Sequence, residues 1–354
     1  MEQIAVLSHK QHLVIDGDYK QTAKAANLIY VSGHEPGILR LKKGKGFAYI
    51  FDNKNLKDKL QIERIRKLAI PPSWSDVWIC ADPNGHIQAT GLDLNKRKQY
   101  RYHAQWNTLR NETKFHRLYE FGKALPLLRK KLKKDIAQKD LTEEKVLATV
   151  INLMEQTYIR IGSNGYEKLY GSYGLTTLKD KHVSVKNEKI LFCFTGKKGI
   201  EHTITLKNKR LARIVKQCRD IPGKELFQYY DSNGNKKGIE SGRVNNYIQT
   251  VTGMDFSSKD FRTWAGTLHA LQCFRSLGEP IDEAEAKRNI AAVLDTVSRK
   301  LGNTRNVCKK YYVHPGLIRL YEENKLQNIP DNNNYSSGLS AEEKILILVL
   351  KKCK

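Results

Sequence analysis

Short segments in which apolar and polar residues alternate predict a small β domain in the first third of the chain. The segments at 77–80 and 86–90 flank DPNG at 82–85, a sequence typical of a hairpin turn. A further strand at 98–103 places Tyr100 and Tyr102 on one face, because side chains alternate along a strand. We therefore predict an antiparallel β domain over residues 1–106.

Beyond residue 107, apolar residues recur mainly with helical spacing. A helix is predicted over 142–159 with Gly162 as its stop signal, and three strands are predicted between 182 and 206. Further helices are predicted at 208–218, 243–250, 258–277, 282–301, 304–311 and 341–350, the last after a polar run at 331–334. The pattern predicts an α+β fold, in which residues 107–354 form a mainly helical domain with a short three-stranded β element.

The charge balance points to a polyanionic partner. The 354 residues include 62 Lys and Arg against 37 Asp and Glu, a net charge of +25, which suits nucleic acid or an anionic membrane surface. The hydrophobic fraction of 40% excludes a wholly disordered basic tail. The longest aliphatic run, at 345–350, is too short to span a membrane. Residues 1–9 lack the features of a secretion signal.

The strongest concentration of charge lies at 96–137, which holds 13 basic and 3 acidic residues. We expect this segment to contact phosphates, above all through Lys130, Lys131, Lys133 and Lys134, and to contain the interdomain linker near 104–114. A solvated helix face is the alternative, because leucines at 125, 127, 128 and 132 form an apolar stripe beside the lysines.

The sequence contains no recognisable motif for binding NTP or calcium. The GKKG turn at 196–199 lacks the pattern of an NTP-binding loop, and DSNGN at 231–235 departs from a calcium loop and predicts a hairpin turn. The six cysteines are scattered, without metal-ligand spacing, so we expect reduced thiols and no metal site. Any chemistry must come from cations, hydroxyls and phenols.

Several longer motifs are informative together. The N-terminal ones are IPPSWSDVWI at 70–79, DPNGHIQATG at 82–91 and KQYRYH at 98–103. The downstream ones are RIG at 160–162, YGSYGLTTL at 170–178, FTGK at 194–197, KDFRTWAGT at 259–267, LGNT at 301–304 and YVHP at 312–315. In identity and order they resemble type IB DNA topoisomerases of the poxvirus and bacterial branch, from about residue 30 to about residue 325.

This resemblance implies that a tyrosine attacks one strand of duplex DNA, leaving a 3′-phosphotyrosyl bond and a free 5′-hydroxyl, and that supercoils relax before religation. The covalent bond conserves the phosphodiester energy, so the resemblance implies no ATP and no required metal, although Mg²⁺ can stimulate turnover. It also implies a monomer that acts on DNA in the cytoplasm, at the nucleoid.

The resemblance assigns the nucleophile to Tyr312, with Tyr311 as the neighbouring rival. A phenol has an ordinary pKa of about 10, so attack requires nearby cations or a base. Arg160 and Arg262 match the arginines that clamp the scissile phosphate. From the residues alone, Arg160 is equally a cation at a helix C-terminus and Arg262 a surface residue.

Lys197 matches the family's general acid on a β hairpin, with Lys198 adjacent and an ordinary soluble turn as the alternative. Asn303 stands where poxvirus enzymes have histidine and bacterial relatives often have asparagine, which favours a bacterial-type enzyme. Its alternative is punctuation between two helices, as C-cap and N-cap residues.

Further DNA contacts are expected from Lys259, one turn before Arg262, from Tyr173, and from Tyr100, Arg101 and Tyr102. The last three equally suit a half-buried edge strand. The rivals to a topoisomerase are a tyrosine recombinase, which usually carries a His-x-x-Arg box where this chain has Lys259 and Arg262, and a basic DNA-binding protein without activity.

Overall fold

The computed structural model describes residues 7–329 and 338–353. The polar run at 331–334 and residues 1–6, part of the segment that lacks the features of a secretion signal, lie outside these residues. The chain divides into two compact units, Met1–Arg117 and Leu118–Lys354. The sequence prediction set its domain boundary at 106/107, which is 11 residues earlier.

Unit 1 is built on a six-stranded antiparallel sheet with the order β3-β2-β1-β4-β5-β6. Its strands are β1 (Ile38–Lys43), β2 (Gly46–Phe51), β3 (Lys54–Asn55), β4 (Ser75–Ile79), β5 (Ile87–Leu92) and β6 (Lys98–Tyr102). The predicted strands are confirmed as β4 to β6. The prediction missed β1 because Arg40 faces inward there, donating to the carbonyls of Ile70, Pro71 and Trp74, and so breaks the apolar alternation.

The prediction also missed three helices of unit 1: α1 (His9–Ile15), α2 (Tyr19–Ala25) and α3 (Lys59–Lys67). On α1, His12 is buried and stacks on His116 with ring centroids 4.0 Å apart. Its Nδ1 lies 3.0 Å from the Thr113 hydroxyl.

The helix α4 (Ala104–Ile136) crosses the boundary between the units. The predicted linker at 104–114 is therefore helical. Leu125, Leu128 and Leu132 are buried as expected, but Leu127 is 54% exposed, so the apolar stripe is narrower than predicted.

Unit 2 is mainly helical and contains the predicted three-stranded sheet, of order β7-β8-β9, as well as the predicted hairpin. Its strands are β7 (Val183–Lys186), β8 (Lys189–Thr195), β9 (Glu201–Lys207), β10 (Gln228–Tyr230) and β11 (Lys236–Gly238). Its further helices are α5 (Glu143–Thr157), α6 (Asn164–Tyr170), α7 (Lys209–Arg219), α8 (Ser241–Thr252), α9 (Ser258–Leu277), α10 (Glu283–Leu301), α11 (Arg305–Tyr311), α12 (Pro315–Glu322) and α13 (Ala341–Lys352). The α+β fold is confirmed; α6 and α12 were not predicted.

The end of α5 differs from the prediction. The helix ends at Thr157, and Tyr158 takes the left-handed C-cap conformation with φ 58°, so Gly162 is not the stop. Arg160 consequently lies in the segment without regular secondary structure after the helix.

A buried ionic network ties α13 to the core of unit 2. Arg129 on α4 contacts Glu155 on α5 at 2.7 Å and Glu343 on α13 at 2.6 Å, and the Trp264 indole donates to Glu343. Burial opposes ionisation of Glu343, but the hydrogen bonds from Arg129 hold its pKa below the ordinary value.

Candidate active site

The Arg160 guanidinium reaches the loop between α10 and α11. Its Nη2 donates to the Gly302 carbonyl at 3.1 Å and to the Asn303 Oδ1 at 2.6 Å. The structure therefore brings together two predicted site residues. Because Asn303 accepts this bond on its amide oxygen, it orients an arginine in addition to offering N–H groups.

Arg262, in the first turns of α9, is 5% exposed. Its Nη2 donates to the Leu301 carbonyl at 2.6 Å and its Nη1 donates to the Tyr158 carbonyl. Both carbonyls belong to helix C-termini, where the helix dipole favours a cation. The interpretation of Arg262 as a surface residue is wrong. Within the described residues, its buried Nε has no hydrogen-bond partner.

The two arginines repel each other. Burial, followed by the charge of Arg262, lowers the pKa of Arg160 to about 10, which leaves it protonated at neutral pH. In the part of the chain that the structure describes, neither guanidinium forms an ion pair with a carboxylate. An anion between them would relieve the repulsion.

The structure distinguishes Tyr312 from Tyr311. The Tyr312 ring centroid lies 5.3 Å from the Arg262 Cζ, whereas Tyr311 is 38% exposed and lies beside Lys310. Tyr312 is the C-cap of α11, so it follows the last helical residue. Its phenol lies beside a buried cation that can stabilise a phenolate.

The KDFRTWAGT motif also holds the backbone of Tyr312. Thr267 Oγ1 donates to the Tyr312 carbonyl at 3.1 Å and accepts from the His314 N–H at 3.2 Å. A Cβ at Gly266 would lie 2.5 Å from the same carbonyl, so only glycine permits this approach. The motif supports the family resemblance, but no role for Gly266 or Thr267 is predicted from the sequence.

The loop that carries Asn303 is capped by its neighbours. Gly302 ends α10 with φ 59°, and the Thr304 side chain accepts from the Val307 N–H as the N-cap of α11. The Asn303 side chain does not cap α11, but its Nδ2 donates to the carbonyl of Leu301, the last residue of α10, at 3.5 Å. The punctuation alternative therefore applies mainly to Gly302 and Thr304, while Asn303 also donates to the end of α10.

Lys197 begins the 3₁₀ turn Lys197–Gly199 between β8 and β9 and is exposed. It shares a small cavity with Arg160 and Tyr173, whereas Lys198 is not among the lining residues. Two further residues of this cavity, His202 and Lys300, were not identified from the sequence. Lys300 could not be found from its position alone, because it follows Arg299 on an ordinary basic helix end.

Two protein-family models match this chain. A family model described as the eukaryotic DNA topoisomerase I catalytic core matches residues 103–334, and the bacterial DNA topoisomerase IB N-terminal domain matches residues 46–93. DNA topoisomerase 1B of Acanthamoeba polyphaga mimivirus is 36% identical over 296 residues, which cover 81% of this chain and 88% of the relative. The vaccinia virus (strain Copenhagen) DNA topoisomerase 1B is 24% identical over 256 residues, 71% of this chain and 77% of the relative.

The chain belongs to the type IB DNA topoisomerase family. The catalytic-core match contains all five predicted catalytic positions, and the bacterial N-terminal match runs from β2 to β5. No helix among the described residues is long and apolar enough to cross a membrane. Those residues also contain no cluster of three or more His, Cys, Asp or Glu side chains arranged to hold a metal.

The predicted DNA contacts of this topoisomerase family member differ in their surroundings. In unit 1, β6 is an edge strand on which Tyr100 and Tyr102 are stacked, with centroids 5.7 Å apart, and are 42% and 39% exposed. Arg101 instead donates to the Ala69 carbonyl at 2.7 Å, so its guanidinium is already held by the protein.

In unit 2, Tyr173 packs on His182 with centroids 4.3 Å apart, and its N–H donates to the Thr195 carbonyl next to the Lys197 turn. Lys259 is exposed on α9, one turn before the buried Arg262. It is thus accessible to a ligand from the solvent side.

The four lysines of α4 are not equivalent. Lys130, Lys133 and Lys134 are exposed, whereas Lys131 contacts the buried carboxylate of Asp135 at 2.6 Å. The Tyr247 hydroxyl donates to the same carboxylate. Lys131 therefore has a structural partner.

Proposed function

We propose that this chain relaxes supercoiled duplex DNA by transient cleavage of one strand. The Tyr312 Oη attacks the scissile phosphorus, a 3′-phosphotyrosyl bond forms, the 5′-oxygen leaves, and its hydroxyl later reverses the reaction. The observation that carries this proposal is the buried Arg262 beside the Tyr312 ring together with the half-buried Arg160, whose charge interacts with both, and neither arginine has a carboxylate partner among the described residues.

Arg160 and Arg262 bind the non-bridging oxygens of the phosphate. The charge on these oxygens grows as the phosphorus becomes five-coordinate, so fixed guanidinium groups stabilise the transition state more than the ground state. The buried Nε of Arg262 has no hydrogen-bond partner among the described residues, so the protein leaves one N–H donor of this guanidinium unused. Asn303 fixes the direction of Arg160 through the 2.6 Å bond to its Oδ1.

Lys197 protonates the leaving 5′-oxygen. An ammonium on an exposed turn can approach the leaving group while remaining next to the Arg160 cavity. A 5′-alkoxide leaves poorly without a proton, so this transfer accelerates cleavage. In religation the same lysine, then neutral, recovers the proton from the attacking 5′-hydroxyl.

The phosphotyrosyl bond retains the energy of the phosphodiester, so this reaction requires neither ATP nor a metal ion, although Mg²⁺ can stimulate it. We propose that the substrate is duplex DNA, that one chain suffices, and that the protein acts in the cytoplasm at the nucleoid. Tyr100 and Tyr102 on β6, together with Lys259, Tyr173 and the exposed lysines of α4, are the proposed DNA contacts.

The test incubates supercoiled plasmid with the protein in EDTA without ATP and analyses both topoisomers and covalent protein–DNA adducts. Relaxation with an adduct that Tyr312→Phe abolishes supports the proposal. An adduct without efficient relaxation supports a recombinase, and binding without an adduct supports a non-catalytic DNA-binding protein. A strict requirement for a metal or ATP would contradict the proposed chemistry.

A further inference from the structure

The imidazole of His202 lies between the turn that carries Lys197 and the loop that carries Asn303. His202 is on β9, directly opposite Phe194 on β8, and their rings stack with centroids 5.1 Å apart and an interplanar angle of 22°. The cross-strand stack fixes the plane of the imidazole, because an aromatic pair on adjacent strands restricts both side chains.

Two glycines approach opposite parts of this ring. A Cβ at Gly196 would lie 2.6 Å from His202 Cδ2, and a Cβ at Gly302 would lie 2.7 Å from its Cε1. Gly196 immediately precedes Lys197, and Gly302 immediately precedes Asn303 and accepts a hydrogen bond from Arg160. One rigid ring therefore contacts the backbone of both loops that carry the proposed chemistry.

The environment of this ring favours its uncharged form. Burial, then Arg160 and Arg262, lowers the pKa of His202 below its ordinary value, while Glu201 opposes the shift. A neutral ring can fill the space without adding a third positive charge beside the two arginines.

We propose that His202 is a positioning residue that holds the Lys197 turn at a fixed distance from Arg160 and Asn303. The inference rests on the proposed function, because it presupposes that Lys197 donates a proton to the leaving oxygen. His202 itself makes no contact with the reacting atoms. Its contribution is the geometry of one proton transfer, which tolerates little displacement of the donor.

The test measures single-turnover cleavage of two oligonucleotides that differ only in the bridging atom of the leaving group, 5′-oxygen or 5′-sulfur. A thiolate leaves readily without a proton, so the sulfur substrate bypasses Lys197. We expect His202→Ala to slow cleavage of the oxygen substrate by roughly tenfold or more, part of the 10²- to 10⁴-fold typical of general acids. Its rate on the sulfur substrate should stay within about twofold of wild type.

Double variants make the test more specific. In a Lys197→Ala background, His202→Ala should add little further loss, because the residue it positions is already absent. Thr203→Ala, one residue along β9 on the opposite face, is the matched control and should leave both rates unchanged.

A second variant tests the contact without removing the histidine. Gly196 has a negative φ of −94°, so Gly196→Ala introduces no backbone strain and acts through its collision with the ring. We expect Gly196→Ala to slow the oxygen substrate selectively in the wild-type background and to lose that effect beside His202→Ala. Melting temperatures identify any variant that fails to fold. If His202→Ala or Gly196→Ala fails to fold, the other variant tests the proposal.

Equal slowing of both substrates, or full additivity with Lys197→Ala, would overturn the positioning role. If the wild-type protein forms no covalent adduct on either substrate, it is the proposed function that fails. The two failures are therefore distinguishable.

Discussion

At the scale of single residues, the site joins groups that are remote in sequence. Arg160 and Asn303 are 143 positions apart, yet their side chains are hydrogen-bonded at 2.6 Å. Each proposed role rests on such a contact and can be tested by removing one atom or one group.

Tyr312→Phe should abolish the covalent adduct while leaving DNA affinity nearly unchanged, because the substitution removes only the attacking oxygen. Tyr311→Phe is the matched control and should retain adduct formation, since the Tyr311 ring lies beside Lys310, whereas the Tyr312 ring lies beside Arg262. Adducts on a radiolabelled oligonucleotide, resolved on a denaturing gel, provide the measurement. Reversed behaviour of the two variants would show that the nucleophile is misassigned.

Asn303→Ala should slow cleavage and religation by similar factors, because both pass through the same five-coordinate phosphorus. The loss should be smaller than the roughly 10²-fold or more expected for Arg160→Ala or Arg262→Ala, since those variants remove a charged donor. Single-turnover rates in both directions test this expectation.

Thr304→Ala is the control for Asn303→Ala. It removes the N-cap of α11 and should cost about 1 kcal/mol of stability while leaving the cleavage rate of the folded protein near that of wild type. If instead Asn303→Ala mainly lowered the melting temperature, its role would be structural.

The catalytic roles of Arg160, Lys197, Arg262, Asn303 and Tyr312 are predicted from the sequence through motif resemblance, and they stay predictions. The sequence could not show that Arg262 is buried against two helix ends or that Asn303 turns its oxygen to Arg160, because both facts depend on long-range packing. No role for His202 is predicted from the sequence, because a histidine in a strand of alternating apolar and polar residues has no distinguishing pattern.

At the scale of elements, α4 combines a structural face with an exposed basic face. If the exposed face follows the DNA backbone, neutralising Lys130, Lys133 and Lys134 together should flatten the dependence of log K on log salt by about 0.9 per lost phosphate contact. Filter binding or fluorescence anisotropy between low and moderate salt gives this slope.

Lys131→Ala is the informative comparison on the same helix. Because Lys131 is already paired with Asp135, we expect it to lower stability and leave the salt slope nearly unchanged. An unchanged slope in the triple variant would mean that the exposed lysines face solvent only.

The contact between α1 and α4 should respond to acid. Burial, then the charge of His9, lowers the pKa of His12 below its ordinary value. As the pH falls through about 6.5, the unfolded chain therefore binds more protons than the folded one. The free energy of unfolding is consequently higher above that pH and decreases below it.

His12→Phe keeps a ring in the stack with His116 and cannot be protonated. We expect the free energy of unfolding in urea to decrease less between pH 7.5 and 5.5 in this variant than in wild type. An equal decrease in both proteins would show that His12 does not carry the effect.

The pattern of apolar residues located most elements of unit 2 correctly, because helices such as Ser258–Leu277 have clear periodicity and flanking caps. It failed at the end of α5, where Tyr158 adopts a left-handed conformation and its carbonyl accepts from Arg262. A tertiary hydrogen bond there outweighs the local preference for glycine.

At the scale of the whole molecule, the network around Arg129 should contribute more to stability than any exposed ion pair. Arg129→Ala leaves the carboxylates of Glu155 and Glu343, 20% and 6% exposed, without their cation. Breaking a buried pair in this way costs about 3–5 kcal/mol. Lys287→Ala, which breaks an exposed pair with Glu283, should cause no measurable change in the urea midpoint.

If the urea midpoint moved equally in both variants, the network would contribute no more to stability than an exposed ion pair. The sequence gives no hint of this network, because its charges lie on α4, α5 and α13 and no local pattern connects them.

The same network sets an order of events during protein synthesis. Arg129 leaves the ribosome long before Glu343, and at usual rates of translation the interval is roughly 10 to 40 s. During that time the nascent chain holds Arg129 and Glu155 without their third member, and Trp264 lacks its acceptor. Unit 2 therefore cannot complete its core until α13 has been synthesised, and before that point the apolar surface that α13 covers stays exposed.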